Sequence, residues 1–195
     1  KQFPAERELE ACFLEQIRQT PGLVLVWASA QNIDRFVTMF KACKKSGRQL
    51  MIDMYTAEIL RATGNPKLPQ ATWDGIKVFL PQSQKRQIIK AKLFSLAECY
   101  KAARIYPEQL AEQASSSVML FRPSMSRDLE KAACLKGAHV IYSLWPGYLK
   151  RKEQYPFLEW LERHHIPLTH CHTSGHASLL DLQAFAQAIN PKMLV

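Results

Sequence analysis

Long apolar runs are missing from this sequence. The longest, residues 23–27 and 139–145, are strand-sized, far short of the roughly 18 to 20 residues that a membrane helix needs, so no membrane partner is expected. Seven glycines and eleven prolines in 195 residues, with 47% apolar and 22% charged side chains, exclude collagen, coiled coil and intrinsic disorder. The five cysteines (Cys12, Cys43, Cys99, Cys134, Cys171) are odd in number, scattered and without a CxxC pair. They read as reduced core thiols in a cytoplasmic protein. No GxGxxG follows the first apolar run, and no GxxxxGK with a following Ser or Thr occurs anywhere; dinucleotide and P-loop functions are disfavoured. The HxHxDH run of a dinuclear zinc hydrolase is also absent. The start, Lys1-Gln2-Phe3-Pro4-Ala5-Glu6, is neither a signal peptide nor an initiator Met, and the expectation is a piece excised from a longer chain.

What is present in excess is positive charge. Twenty-six Lys and Arg against 17 Asp and Glu give a net +9 and a pI of about 9.4. A polyanionic partner fits that balance, nucleic acid being the commonest; a merely soluble basic surface fits it equally well.

Along the chain, helical and extended patterns alternate. Residues 6–18 place Leu9, Cys12, Phe13 and Ile17 on one helical face. Residues 22–27 are continuously apolar, as in a strand covered on both faces. Residues 32–46 form a helix with Ile33, Phe36, Val37, Phe40 and Cys43 inward, ending near Gly47. Further strands are expected at 49–53, 76–80, 118–121, 140–144, 168–172 and from 193 onward, and helices at 56–63, 127–135, 156–164 and 179–189. Residues 64–69 are a loop, and 83–114 are mostly helical with an early basic cluster. Strands joined by helices imply a mostly parallel sheet with right-handed crossovers. The expected fold is α/β, a Rossmann-like doubly wound domain, whose ligands bind beyond the carboxyl ends of the strands.

Two such strand-end segments carry chemistry. After the first strand, Ser29 or Asn32 opens a helix whose free N–H groups suit a phosphate; helix capping explains either residue equally well. After the sixth, residues 170–178 hold His170, His172 and His176. Four readings compete there. A three-histidine zinc site has the right ligand type, but Cys171 points to the opposite strand face. A Ser174–His176 nucleophilic pair lacks the elbow motif. A phosphate-handling or acid–base histidine beside a metal supplied elsewhere suits the residues best, and histidines that only satisfy strand-end hydrogen bonds are the bland alternative. Asp53 reads as a structural strand-end carboxylate, and His164 and His165 as helix C-terminal residues complementing the dipole.

The runs at 29–35, 47–53 and 172–178, with Pro191-Lys192-Met193-Leu194-Val195, resemble the β-CASP metallo-β-lactamase hydrolases, which include ribonuclease J and the endonuclease of messenger-RNA 3′-end processing. The resemblance spans about Phe3 to Val195. It implies an N-terminal helix at 1–21, a β-CASP domain at 22–165 and a return segment at 166–195 that re-enters the metallo-β-lactamase fold as strand, helix and strand. It further implies RNA as substrate, bound between this part and the chain's own metallo-β-lactamase domain. Two zinc ions in the intact parent would activate a water for phosphodiester hydrolysis, with every metal ligand outside this chain, which alone is inactive. By the same resemblance, His176 contacts the scissile phosphate or donates a proton, while Ser29, Asn32, His172, Ser174 and Gly175 line the phosphate site. Two other functions remain open: a non-catalytic RNA- or nucleotide-binding α/β module, and a metallo-β-lactamase-fold hydrolase of small esters or amides. Whether copies of the chain assemble into a homo-oligomer is equally open.

Overall fold

The continuous apolar runs become strands buried on both faces. In a computed structural model, which describes residues 6–173, 179–191 and 193, the strands are β1 (Val24–Trp27), β2 (Gln49–Asp53), β3 (Ile76–Phe79), β4 (Arg104–Ile105), β5 (Ser117–Leu120), β6 (His139–Tyr142) and β7 (Leu168–His170). They form one sheet in the order β4-β3-β2-β5-β1-β6-β7, and every neighbouring pair is parallel. The helices are α1 (Glu6–Gln19), α2 (Ile33–Ser46), α3 (Met54–Ala62), α4 (Gln82–Ala91), α5 (Phe94–Glu98), α6 (Pro107–Gln113), α7 (Ser126–Lys131), α8 (Tyr155–Arg163) and α9 (Leu179–Ile189). None of the described helices is long and apolar enough to cross a membrane.

The strand order decides which face each helix covers. From β1 the chain steps outward through β2, β3 and β4, then returns to β5 and continues through β6 to β7. Crossovers of one hand must therefore place the first helices on one face and the later ones on the other. Side-chain alternation follows suit. Val24, Val26, Leu50, Ile52 and Val78 pack under Phe36, Met39, Leu60 and Ile88 of α2, α3 and α4. Leu25, Met51, Phe79, Met119 and Val140 pack under Leu110, Leu129, Phe157 and Trp160 of α6, α7 and α8. The doubly wound α/β architecture expected from the sequence is the one observed.

On the first face no crossover helix covers β6 and β7. That space is filled by α1, through Leu9, Phe13 and Ile17. Helix α2 is consequently covered on two sides, by the sheet and by α1, which buries Arg35 and Thr38 as well as its apolar residues. Gly47 ends α2 in a left-handed conformation (φ 72°), where the missing Cβ avoids a steric cost.

The expectation that all five cysteines are reduced is corrected. Cys12 of α1 and Cys171, just after β7, are joined in a disulfide across 159 residues, with Cα atoms 6.3 Å apart. Helix packing brings together two residues that sequence spacing keeps far apart. Cys43, Cys99 and Cys134 are free, Cys43 and Cys134 being buried; burial pushes the Cys134 thiol up to about 11 and the Cys43 thiol higher still. The stretch 83–114 is mostly helical, as expected, and within it β4 is a two-residue edge strand too short to show alternation. Of the strand expected at 193–195, Met193 has no regular structure, and Leu194 and Val195 lie outside the described residues.

The disulfide closes a loop of nearly the whole chain, so Cys12→Ser is expected to lower the unfolding free energy by about 2–4 kcal/mol. Urea denaturation checks this: reductant should bring the wild-type protein down to the variant's stability and leave the variant unchanged.

Candidate functional site

Helices after neighbouring strands leave to opposite faces at the centre of the sheet. Those after β1 and β2 go one way; α7 and α8, after β5 and β6, go the other. Strand β1 lies between β5 and β6, so both its borders are topological switch points, where open α/β sheets hold ligands beyond the strand ends.

On the β6 side the organiser is Arg35, only 2% exposed. Its guanidinium donates to the Ser143 hydroxyl (2.5 Å) and carbonyl (3.3 Å), to the Thr173 carbonyl (3.4 Å) and to both oxygens of Glu6 (3.1 and 3.5 Å). Glu6 also accepts from the Thr38 hydroxyl at 3.0 Å. The Ser143 hydroxyl in turn donates to the Cys171 carbonyl at 2.5 Å. One cation thus ties the start of α1, the first turn of α2, the end of β6 and the segment after β7. A buried charge with this many partners is tolerated; one stripped of them is not.

Asn32 is the N-cap of α2. Its Oδ1 accepts from the Arg35 N–H at 2.9 Å. The Ser29 hydroxyl accepts from the Gln31 N–H at 3.3 Å, and both residues are exposed at the strand end. His172 reaches the same place from the other end of the chain. Its Nδ1 lies 3.2 Å from the Ser143 carbonyl, so Nδ1 carries the hydrogen and Nε2 is left as an acceptor. Burial holds the His172 pKa below the ordinary histidine value, and the nearby Arg35 charge lowers it further. His172 is therefore neutral at pH 7. His170 directs Nε2 to the Leu144 carbonyl at 3.0 Å, and the two imidazole rings stand 5.8 Å apart. Ser174, Gly175 and His176 lie outside the described residues.

Of the three histidines in the zinc reading, His170 and His172 are described and His176 lies outside the described residues. Two imidazoles are held close together, but Cys171 is committed to its disulfide, and no group of three His, Cys, Asp or Glu able to hold a metal occurs among the described residues. A structural zinc needs four ligands and a catalytic one three.

On the other border of β5, at the end of β2, Asp53 has the structural role its sequence position suggests. Its Oδ1 caps α3, accepting from the Thr56 N–H (2.8 Å) and hydroxyl (2.5 Å), and Oδ2 accepts from Gln84 (2.7 Å) and pairs with Arg122. The Arg122 guanidinium also stacks over the exposed Tyr55 ring at 5.0 Å, whose hydroxyl accepts from the Gln31 side chain at 3.1 Å. A row of polar groups thus runs from Arg122 through Tyr55 and Gln31 toward the start of α2.

Sequence reading did not single out Arg35, Ser143 or Arg122. Arg35 carried a signal: a charged residue three positions after an Asn cap, one turn before Thr38 and beside Phe36, belongs to a helix face with two neighbours. Ser143 and Arg122 are the residues just past apolar strands, and nothing local marks them. Comparison with protein-family models and with curated proteins finds no match for this chain.

His139 joins His172 in having its pKa lowered by burial. The unfolded chain, with histidines near 6.5, then binds more protons than the folded one once the pH drops below that value. Stability is fully present above about pH 6.5 and is lost as the pH falls through it. The melting temperature should decline between pH 7.5 and 5.5, and the double variant H139Q/H172Q should flatten that decline.

Proposed function

We propose that this chain is the β-CASP-like, RNA-holding part of a metal-dependent ribonuclease, and that its own residues bind and orient RNA while a metallo-β-lactamase domain carries the zinc. One observation carries the reading. Two segments that separately resemble the family, the start of α2 and His172, meet at the switch point beside β1 through Arg35 and Ser143, in a chain of net charge +9.

The chemistry of this part is binding and proton placement. Neutral His172 offers a lone pair on Nε2, so an approaching phosphate is accommodated when that nitrogen takes up a proton and becomes a charge-assisted donor. The exposed Ser29 hydroxyl and the start of α2 face the same strand end, where an anion is favoured. Ser174 and Gly175 complete the phosphate site in this reading, and His176 protonates the departing oxygen. Lys85, Arg86, Lys90 and Lys92 of the α4 region, with Lys150, Arg151 and Lys152, follow the RNA backbone. Helix α9 exposes Leu179, Leu180, Leu182, Phe185 and Ile189, a set of side chains suited to being covered by the metallo-β-lactamase domain.

A second reading is a non-catalytic RNA- or nucleotide-binding module, which the same helix start at the strand end and the net charge of +9 also suit. The two are separated by adding zinc or manganese to the protein that includes the metallo-β-lactamase domain. RNA cleavage is expected, and intact RNA decides for the second reading. Turnover of small esters with no RNA affinity overturns both.

The chain by itself is expected to bind RNA without cutting it, with affinity falling steeply as salt rises. Affinity should also rise as the pH falls from 7.5 toward 5.5, because binding favours protonated His172. His172→Gln should weaken binding and reduce that pH dependence, as read by fluorescence anisotropy.

A further inference from the structure

Just past β6, the chain exposes an aromatic ledge that the phosphate site does not use. Trp145 is 57% exposed and Tyr148 40%. Their rings meet edge to face at 5.4 Å, and the Arg151 guanidinium lies over Tyr148 at 4.7 Å. The ledge is held from beneath. The Tyr142 hydroxyl and the Tyr148 N–H both donate to the Trp145 carbonyl, at 3.3 and 3.0 Å, and Leu149 packs against the core. The indole itself folds over Gly147, where an added Cβ would come within 2.2 Å of two ring atoms. A side chain at position 147 would push the ring away, so a glycine there fits the indole to its seat. Next to the ledge, the Leu144 carbonyl receives His170. On its outer side come three consecutive cations, Lys150, Arg151 and Lys152, all exposed.

A single exposed aromatic is ordinary. A pre-seated indole, met edge-on by a second ring that itself carries a guanidinium and followed in sequence by three positive charges, has more specific chemistry. Each nucleotide of a single strand brings one flat base and one phosphate; a duplex hides the base faces. We propose that Trp145 is a nucleobase-stacking residue and that the ligand of this edge is single-stranded RNA, its base on the indole and its adjoining phosphates on Lys150–Lys152. This rests on the RNA reading above and adds to it the strandedness of the substrate and a residue that reads it. In strand order, β2, which precedes Tyr55, and β6, which precedes the Trp145 ledge, are three strand spacings apart, about 14 Å, with Gln31 and Ser29 following β1 between them. A strand of a few nucleotides laid across the sheet edge spans that distance.

The test uses the chain with a labelled ten-residue oligouridylate, read by anisotropy, with circular dichroism to check folding. Trp145→Ala should weaken binding by roughly 5- to 160-fold, the range for loss of one stacked base, while Trp145→Phe retains most of the affinity. Gly147→Ala, which keeps the indole but unseats it, should behave like Trp145→Ala. Removing Lys150 and Lys152 together should lower the salt slope by about 1.4. Wild-type chain should prefer the single strand to a duplex of equal length and to inorganic polyphosphate. If Trp145→Ala binds oligouridylate as tightly as wild type, the stacking role is overturned while the RNA reading stands, as it would be if this face seats a protein. Equal affinity for duplex or polyphosphate overturns it likewise. If the wild-type chain binds no RNA at all, the RNA reading falls and takes this inference with it.

Discussion

The carboxyl edge of this sheet beside β6 depends on one desolvated guanidinium. Arg35 sits under α1 and beside β6, and its donors are distributed over Glu6, Ser143 and Thr173. Burying such a charge is costly unless each N–H finds an acceptor, so the acceptors hold their positions relative to one another. Those acceptors belong to three different segments, none of them the helix that carries Arg35. The carbonyl of Ser143, which receives Arg35, also receives His172. The carbonyl that helps hold Arg35 thereby fixes the tautomer of the imidazole, while burial, with the Arg35 charge second, holds its pKa below the ordinary histidine value.

The mirror-image arrangement after β2 uses the opposite sign at its centre. There a buried carboxylate, Asp53, gathers a helix N-terminus, an amide and Arg122. One network centres on a cation and the other on an anion, on either side of β5 and β1. Each commits its buried charge to holding strand ends together; in the function proposed above, ligand contact falls instead to the neutral groups Ser29, Gln31, Tyr55, His172 and the ring of Trp145.

The parts of this arrangement visible in the sequence were those with a local signature. Apolar runs such as 23–27 marked buried strands because a parallel sheet covered on both sides permits no polar alternation. Asn32 and Gly47 bounded α2 through cap chemistry. His170 and His172 were seen to share a strand side from their spacing alone, with Cys171 opposite. Hidden were the features created by packing. The burial of Arg35 follows from α1 lying on α2, the Cys12–Cys171 bond follows from α1 covering the end of β7, and β4 is too brief to carry a period. The role of Gly147 was equally invisible, since its neighbour Trp145 reads in sequence as one more apolar residue.

The sheet order has a consequence for how the polypeptide acquires its shape. The strands nearest the amino terminus, β1 and β2, do not touch; β5 is wedged between them, and β1 finds its second neighbour only in β6. A nascent chain leaving the ribosome therefore has no inner ladder to zip until residues 117–120 have been synthesised. Before that point only the outlying β2–β3 pair can assemble, joined by β4 once residues 104–105 are made, while β1 waits unpaired. Such non-local closure is slow, and in the interval the waiting apolar strand is a surface that chaperones would need to shield.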